Sequence, residues 1–400
     1  MVLRAIKGRA LSEMWTTQLL TLAAAVFLAR LGQGLMNGVA TNFYVDTLNL
    51  TGSQVLWLTS VREVPGLLLV FLAAAICYLP LVWRAAGSLL LMGVGFGLYA
   101  TTHSYAALLA MVVVASIGFH NWGPTEGALA LGMVGKERSG RVLGSLASVG
   151  SLASIVGVGL AALLSSNLSL RAFYVVGGAI IVLGAAVVLR LPRSTGHQAA
   201  ARASSRIILR RRYWLYYVLT FFEGTRTQVF GAFGTLVLVE YYGLRVGQIS
   251  ALLAGSMLLN FLLAPYFGRL LDRVGERIML TTSYVALALC FVGYATVHNA
   301  WFLAGMLLGI NLLITLRIGL SAYVNRIAPP EDLSATLSAG VSVNHISSVS
   351  VSLLAGALLE QVGYEVLCWG AVGMILLSVP FAWSLRVGAP EPDAAPAGAG

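Results

Sequence analysis

The chain of 400 residues is strongly apolar, with 58% hydrophobic residues, 10% charged residues and a mean hydropathy of +0.86. A soluble protein of this length would carry about a quarter charged residues, so the composition excludes that class and predicts an integral membrane protein. The net charge of +10 is not a nucleic-acid footprint, because most Lys and Arg fall in the N-terminus, the central segment and alternate loops. That bias is typical of the cytoplasmic side of a membrane protein.

A helix needs about 20 apolar residues to cross the bilayer. Long apolar runs without alternation favour helices over transmembrane strands. The candidate spans are 16–43, 55–79, 86–102, 105–134, 141–165, 170–191, 213–240, 247–268, 278–297, 300–325, 335–359 and 364–387. We therefore predict an all-α integral membrane protein with 12 transmembrane helices. Its expected parts are an N-terminal six-helix bundle at 1–191, a basic cytoplasmic linker at 192–212, a C-terminal six-helix bundle at 213–388 and a disordered tail at 389–400.

The first span carries Arg30, and Gln33, Asn37, Thr41 and Asn42 follow it at helical spacing. An ionisable group near the bilayer centre costs at least about 2.5–3.5 kcal/mol, so it usually faces a cavity or a partner. The polar residues after Arg30 either line a path for a solute or hydrogen-bond neighbouring helices. Their spacing does not distinguish these two roles.

The second and fourth spans add Arg62, Glu63, His120 and Glu126. Arg62 and Glu63 are adjacent and are expected on different helix faces, so each should need a partner elsewhere. Pro65 is expected to kink the second span. Glu63, Glu126 and His120 are candidates for proton coupling, because carboxylates and imidazoles exchange protons readily. His120 could equally be a packing residue that hydrogen-bonds a backbone carbonyl.

The central segment is rich in arginine and has no acidic residue. Its arginines are Arg193, Arg202, Arg206, Arg210, Arg211 and Arg212. They either bind anionic lipid headgroups or form a solvated linker that fixes topology. The positive-inside bias places both termini in the cytoplasm, and we expect the inner membrane of a bacterium.

Three further ionisable positions follow in the second half. Glu223 and Arg226 are three residues apart in the seventh span, so they share one helix face and can pair. Arg317 lies in the tenth span, and His345 lies in the serine-rich eleventh span. We expect Arg30, Arg62, Arg226, Arg317 and His345 to contact substrate, and Glu223 to join the proton-coupling groups.

The segment after span 8 reads Gly268-Arg-Leu-Leu-Asp272-Arg273-Val-Gly275-Glu276-Arg277. It resembles the loop signature of the major facilitator superfamily, G-x-x-x-D-[RK]-x-G-[RK]-[RK]. The resemblance covers essentially the whole chain and implies two six-helix bundles related by a pseudo-twofold axis. It also implies a cytoplasmic gate of Gly268, Asp272, Arg273 and Gly275, in which glycine allows close helix contact and Asp and Arg form a charge relay. Glu276 stands where the family has a basic residue.

Two short sequences recur near half the length of the chain. Tyr99–His103 recurs as Tyr294–His298, at an offset of 195. At an offset of 194, Asp46, Leu50 and Gln54 fall on Glu240, Leu244 and Gln248. The matches predict a duplicated half. Arg62, Glu63 and Arg317 have no charged counterpart in the other half, which is expected for residues that serve an asymmetric substrate.

Three functions are compatible with this pattern. The first is a monomeric secondary transporter that moves a small organic anion by alternating access between the halves, coupled to protons. Arginine favours an anion because its guanidinium binds carboxylate or phosphate with a planar fork and keeps its proton. The second is efflux of amphipathic or cationic compounds, and the third is a non-transporting sensor or assembly partner. Motifs for a metal, a cofactor or an enzyme are not found in the sequence. Membrane lipid is expected to surround the protein.

Overall fold

The computed structural model is helical and describes residues 15–76, 78–134, 139–195, 210–226 and 231–386. Its first helices are α1 Thr17–Asn42, α2 Gly52–Leu67, α3 Leu69–Ala75, α4 Leu81–Leu98, α5 Tyr105–Gly132, α6 Ser139–Leu164 and α7 Leu170–Val188. They are followed by α8 Trp214–Gly224, α9 Gly231–Glu240, α10 Val246–Thr296, α11 Ala300–Thr315, α12 Ile318–Ile327 and α13 Pro330–Trp383. A π-helical turn at Phe43–Thr47 extends α1. The predicted all-α membrane class is confirmed.

Nine stretches of the described residues are long and apolar enough to cross a membrane. They are Thr17–Thr47, Leu81–Thr101, Tyr105–Gly132, Arg141–Leu164, Leu170–Val188, Val246–Ala264, Tyr266–Thr296, Ala300–Ile327 and Ala339–Trp383. The predicted spans 55–79 and 213–240 are not among them, and the last two predicted spans form one stretch. The count of 12 therefore stays a prediction.

Several predicted spans are interrupted at identifiable residues. Pro65 lies in the last turn of α2, which ends at Leu67, and α3 begins at Leu69. Leu68 separates the two helices three residues after Pro65, and the kink expected at Pro65 itself stays a prediction. The predicted tenth span is divided between α11 and α12, and Arg317 stands at the division. In the predicted seventh span, residues 227–230 between α8 and α9 lie outside the described residues.

Two glycines divide the longest helices. Gly275 in α10 has φ 76° and ψ 164°, and Gly363 in α13 has φ 80° and ψ 167°. These values lie in a region that residues with a Cβ rarely adopt. Each glycine therefore turns the chain within one residue, and each falls between two spans that the sequence analysis separated.

The repeat in which Asp46, Leu50 and Gln54 match Glu240, Leu244 and Gln248 has the same local structure in both copies. The Leu50 amide donates to the Tyr44 carbonyl, and the Leu244 amide donates to the Leu238 carbonyl, both at 3.0 Å. The residue just before each of these leucines has positive φ, 52° at Asn49 and 63° at Gly243. The duplicated sequence thus builds the same turn twice.

The glutamines of that repeat also make equivalent hydrogen bonds. Gln54 Oε1 accepts from the Thr51 amide at 3.1 Å, and Gln248 Oε1 accepts from the Arg245 amide at 2.8 Å. Each glutamine thereby satisfies an amide at the start of its helix, α2 or α10, where no intrahelical partner exists. The repeat therefore specifies where these two helices begin.

The chain forms two compact units. One comprises Met1–Ser204, Ala232–Phe261 and Val349–Gln361. The other comprises Ser205–Gly231, Leu262–Ser348 and Val362–Gly400. The predicted domains 1–191, 192–212, 213–388 and 389–400 stay a prediction, and residues 387–400 of the expected tail lie outside the described residues.

In the first unit, helices pack closely where glycines face each other. A Cβ built on Gly157 of α6 would stand 2.4 Å from the Leu31 carbonyl oxygen and 2.9 Å from Gly34 Cα in α1. A Cβ on Gly178 of α7 would stand 2.5 Å from the Gly93 carbonyl oxygen in α4. Small residues allow such approaches between membrane helices, where van der Waals packing drives association.

Gly157→Ala should destabilise the protein, because its methyl group would overlap the α1 backbone. Overpacking of this kind costs about 1–3 kcal/mol. Gly159→Ala is a matched control two residues away, since no described atom outside its own helix lies within 4 Å of its Cβ position. Thermal unfolding of both purified variants in detergent measures the difference. Equal melting temperatures would contradict the close α1–α6 packing.

Candidate functional site

In the first unit, Arg30 of α1 approaches Glu126 of α5. Arg30 Nη2 lies 3.8 Å from Glu126 Oε2, and Arg30 Nη1 donates to Gln33 Oε1 at 3.1 Å. The side chains keep 32% and 15% of their surface exposed. The separation is long for a charge-assisted hydrogen bond, which normally measures about 2.7–2.9 Å. This pair is therefore loose, with Arg30 partly exposed and Glu126 largely buried.

A second charged group joins α2 to α5 around Glu63. Arg62 Nε lies 3.2 Å from Glu63 Oε1, and His120 Nε2 lies 3.7 Å from Glu63 Oε2. Arg62 and Glu63 therefore pair with each other, whereas the sequence analysis expected each to need a partner elsewhere. The long arginine side chain bends back over its own helix, which brings its Nε to the neighbouring carboxylate. Glu63 and His120 are both buried.

Ser116 of α5 sets the position of the His120 ring. His120 Nδ1 lies 3.0 Å from both the hydroxyl and the carbonyl oxygen of Ser116, and the Ser116 hydroxyl also donates to the Arg62 carbonyl. The backbone contact matches the packing role considered for His120. The ring nevertheless directs its other nitrogen at Glu63, at a distance of 3.7 Å that exceeds a direct hydrogen bond. The two roles are compatible at this residue.

In the second unit, Arg226, two residues after the end of α8, is buried among polar and aromatic groups. Its Nη1 lies 3.3 Å from Glu223 Oε2, which confirms the pairing expected from their spacing. Its Nη2 donates to the Ser378 hydroxyl, and its guanidinium carbon lies 3.5 Å from the centroid of the Tyr284 ring. Arginine over an aromatic face gains a cation–π attraction. Three contacts of different kinds thus compensate this buried charge.

Arg317 and His345 also belong to the second unit. Arg317 is exposed at the break between α11 and α12 and interacts electrostatically with Glu223. Glu223 is therefore influenced by two arginines from different helices. His345 is buried on α13, where the neighbouring hydroxyls of Ser347 and Ser348 donate to carbonyls of their own helix.

The predicted cytoplasmic gate has a different centre from the one that the resemblance implies. Arg326 Nε lies 2.9 Å from Glu276 Oε1, whereas Arg326 Nη2 lies 4.0 Å from Asp272 Oδ1. The Asp272 side chain is 77% exposed and the Glu276 side chain only 2%. The residue that departs from the family signature therefore forms the closer ion pair with Arg326.

The glycines and the arginine of the gate signature have separate positions. Gly275 makes the sharp turn in α10, and Arg273 is exposed. At Gly268 no described atom beyond its own helix and chain neighbours lies within 4 Å of a built Cβ. The close helix contact that the resemblance implies at Gly268 is thus not seen among the described residues.

A further ion-pair cluster lies where the predicted linker meets α8. Asp332, in the first turn of α13, lies 2.8 Å from Arg210 Nη2 and 3.1 Å from Arg212 Nη2. It also accepts from the Tyr213 hydroxyl at 2.9 Å. A carboxylate at a helix N-terminus is favoured by the helix dipole. The last linker arginines are thus fastened to the start of α13.

Sequence reasoning missed the partners that complete these groups. They are Ser116, Tyr284, Arg326, Asp332 and Ser378. Ser116 lies four residues before His120, a spacing that places both on one helix face, so the sequence held a signal for it. Arg326, Asp332 and Ser378 meet partners distant in sequence, and only the folded chain brings them together.

Arg226→Ala should strongly destabilise the second unit, because Glu223 would lose its counter-ion inside the protein. Breaking a buried ion pair typically costs about 3–5 kcal/mol. The double variant Glu223→Gln/Arg226→Ala should recover part of this loss, since the glutamine carries no charge. Arg317→Ala is the control, because Arg317 is exposed. Thermal unfolding of the variants would contradict this account if the double variant were the least stable.

Glu276→Gln should destabilise the protein more than Asp272→Asn. Glu276 is buried 2.9 Å from Arg326, whereas Asp272 is exposed at 4.0 Å from the same arginine. Exposed ion pairs contribute about 0–1 kcal/mol, and partly buried charged hydrogen bonds about 1.5–3 kcal/mol. Chemical or thermal unfolding of both variants measures the order. The reverse order would restore Asp272 as the centre of the gate.

The chain matches the family model described as Major Facilitator Superfamily over residues 22–225 and again over residues 216–400. No curated protein sequence matches it significantly. Among solved structures, a mutant form of the nucleoside transporter NupG is 15% identical with a TM-score of 0.78, covering 92% of this chain and 100% of its own. A mutant form of the peptide transporter POT is 14% identical with a TM-score of 0.68, covering 91% of this chain and 94% of its own.

A D-xylose–proton symporter is 11% identical with a TM-score of 0.68, and the alignment covers 92% of this chain and 96% of the symporter. Identities this low show a shared fold and leave the substrate undetermined. The two matches to the family model together cover almost all of the chain. The chain therefore belongs to the Major Facilitator Superfamily and is an integral membrane transporter.

Proposed function

We propose that the chain is a proton-coupled secondary transporter of a small organic anion. It would act as a monomer in the inner membrane of a bacterium, with both termini in the cytoplasm. The observation that carries this proposal is the loose pair of partly exposed Arg30 and largely buried Glu126, 3.8 Å apart between α1 and α5. Here the Arg30 guanidinium, which keeps its charge, faces the Glu126 carboxylate, which loses its charge when it binds a proton.

The pair offers a simple way to couple the two solutes. While Glu126 is ionised, it neutralises Arg30 and competes with any other anion for the guanidinium. A proton on Glu126 removes that competition, and Arg30 can then bind a carboxylate or phosphate of the substrate. One proton would accompany each negative charge, so the movement would be electrically neutral at this pair.

The other pairs would have supporting roles. Glu63 and His120 lie 3.7 Å apart and would exchange a proton once a small movement brings them within hydrogen-bond distance. The pair of Glu223 and Arg226 repeats the combination of carboxylate and guanidinium in the second unit. Arg317 would be available to an anion because it is exposed at a helix break. His345 would contribute a titratable ring to the same unit.

A second candidate substrate is a neutral or zwitterionic polar solute. The similar structures include a nucleoside transporter, a peptide transporter and a D-xylose–proton symporter. The observation that favours this candidate is charge balance. Arg30, Arg62 and Arg226 each lie within 4 Å of a glutamate, which lowers the net positive charge that would attract an anion.

Proteoliposome uptake tests the proposal with a panel of radiolabelled carboxylates, phosphorylated metabolites, nucleosides, peptides and sugars. An inward acid gradient should drive accumulation of an anion, and Arg30→Ala should abolish it. Glu126→Gln should retain exchange of the anion without a pH gradient but lose accumulation driven by the gradient. Arg245→Ala is a matched control, because Arg245 is an arginine in the turn before α10 rather than inside a span.

The outcomes separate the candidates. Accumulation of a neutral solute with the anions inactive would favour the second candidate. Uptake of the anion by Arg30→Ala at the wild-type rate would remove Arg30 from the binding site. Drug sensitivity of a deletion strain would favour efflux of amphipathic compounds. Ligand binding without net flux for every solute would favour a sensor.

A further inference from the structure

Hydrogen bonds join α1 to α9 and to the turn before α10 within the first unit. The Thr41 and Thr235 hydroxyls lie 3.3 Å apart. Asn42 Nδ2 donates to the Leu244 carbonyl at 3.0 Å. Thr41 and Thr235 are 194 residues apart in sequence, which is the offset at which Asp46, Leu50 and Gln54 match Glu240, Leu244 and Gln248. Two equivalent residues of a twofold repeat meet only near the axis that relates the copies, so this contact lies close to that axis.

α2 is joined to the same region by an acidic side chain. Glu240, the last residue of α9, accepts from the Gly52 amide at 3.0 Å through Oε1. Gly52 is the first residue of α2, and the neighbouring Thr51 and Gln54 already form a capping box there. The first four amides of a helix have no intrahelical partner, and the helix dipole favours a negative charge beside them. Glu240 therefore supplies an additional cap from another helix.

α10 and α13 add three more hydrogen bonds of this kind. The Ser250 hydroxyl donates to the Gly38 carbonyl at 2.7 Å, and the Ser60 hydroxyl donates to the Val349 carbonyl at 2.9 Å. Trp57 Nε1 donates to the Leu353 carbonyl at 3.2 Å. All of these bonds run between segments before residue 70 and segments after residue 230. The first unit is thus fastened across the two sequence halves.

The repeat counterpart of Glu240 behaves differently. Asp46 accepts from Asn42 Nδ2 at 2.8 Å, a bond four residues back along its own segment. The sequence repeat therefore provides an acidic residue in both halves, but in this structure only Glu240 is seen bonding the start of a helix from the other half. Glu240 therefore differs from its repeat counterpart Asp46 in the contact that it makes.

We infer that Glu240 is a gating residue that holds α2 to α9 on the side that the positive-inside rule places outside the cell. We call two contacts together the latch: the Glu240 carboxylate with the Gly52 amide, and the Thr41 hydroxyl with the Thr235 hydroxyl. The first contact carries the charge, and the second lies at the centre. Opening of this side requires both contacts to break. The inference adds a residue to the transport cycle that the intramembrane charge pairs do not include.

Cross-linking tests this latch without knowledge of the substrate. The hydroxyl oxygens of Thr41 and Thr235 are 3.3 Å apart, so cysteines placed there need only a small shift to form a disulfide. Oxidation of the Thr41→Cys/Thr235→Cys variant should give the linked peptide in high yield by mass spectrometry. Adding Glu240→Ala should lower the yield several-fold, because the segments separate more often. Glu240→Gln should lower it less, since its amide oxygen can still accept from Gly52.

Asp46→Ala is the matched control in the same cysteine background. It removes the equivalent acid of the repeat but leaves the Asn42 bond to Leu244 available, so the yield should not change. Equal yields for Glu240→Ala and the parent would overturn the inference, as would an equal loss with Asp46→Ala. A monodisperse elution profile and an unchanged melting temperature show that each variant is folded.

A second measurement rests on the proposed function and is independent of the Glu240 variants. In proteoliposomes, the linked Thr41→Cys/Thr235→Cys protein should lose uptake, and a reducing agent should restore it. Full uptake while linked would show that these segments need not separate, which overturns the latch. No uptake by the unmodified protein would overturn the proposed function alone, because the cross-linking yields would still decide the role of Glu240.

Discussion

The arrangement of this protein depends on how it compensates charges that the membrane would otherwise exclude. Arg30, Arg62 and Arg226 each lie within 4 Å of a glutamate, and Arg317 is exposed at a helix break. A single uncompensated charge would cost more than most packing contacts supply. The Arg30–Glu126 pair joins two helices, α1 and α5, whereas the other two pairs each lie within one stretch of the chain. They also leave groups that can exchange a proton beside groups that cannot.

The membrane class, the places where long helices turn and the family could be predicted from the sequence. Long apolar runs identify spans because the bilayer imposes one length. The gap between two such runs identifies a turn, as at Gly275, where the positive φ suits glycine. The pairing of Glu223 with Arg226 was predictable from helical spacing alone. These features are local, so a short stretch of sequence contains the whole physical cause.

The rest of the site could not be predicted because it depends on contacts between distant residues or on side-chain flexibility. Arg62 reaches Glu63 although helix geometry separates the two Cβ atoms, since a long side chain can fold back. Glu276 displaces Asp272 as the close partner of Arg326 because it is the buried one of the two. The family signature gave the correct loop and the correct turn but not the residue that pairs.

Gly275 and Gly363 have a consequence for protein engineering. Each connects two helical segments through one residue, so neither junction offers the extended, exposed chain that a protease or an inserted tag requires. Fragments for separate expression should not begin or end at these glycines, because each glycine sets the angle between the two segments that it joins. For the same reason, a substitution that adds a side chain at either glycine would change how both helical segments are oriented.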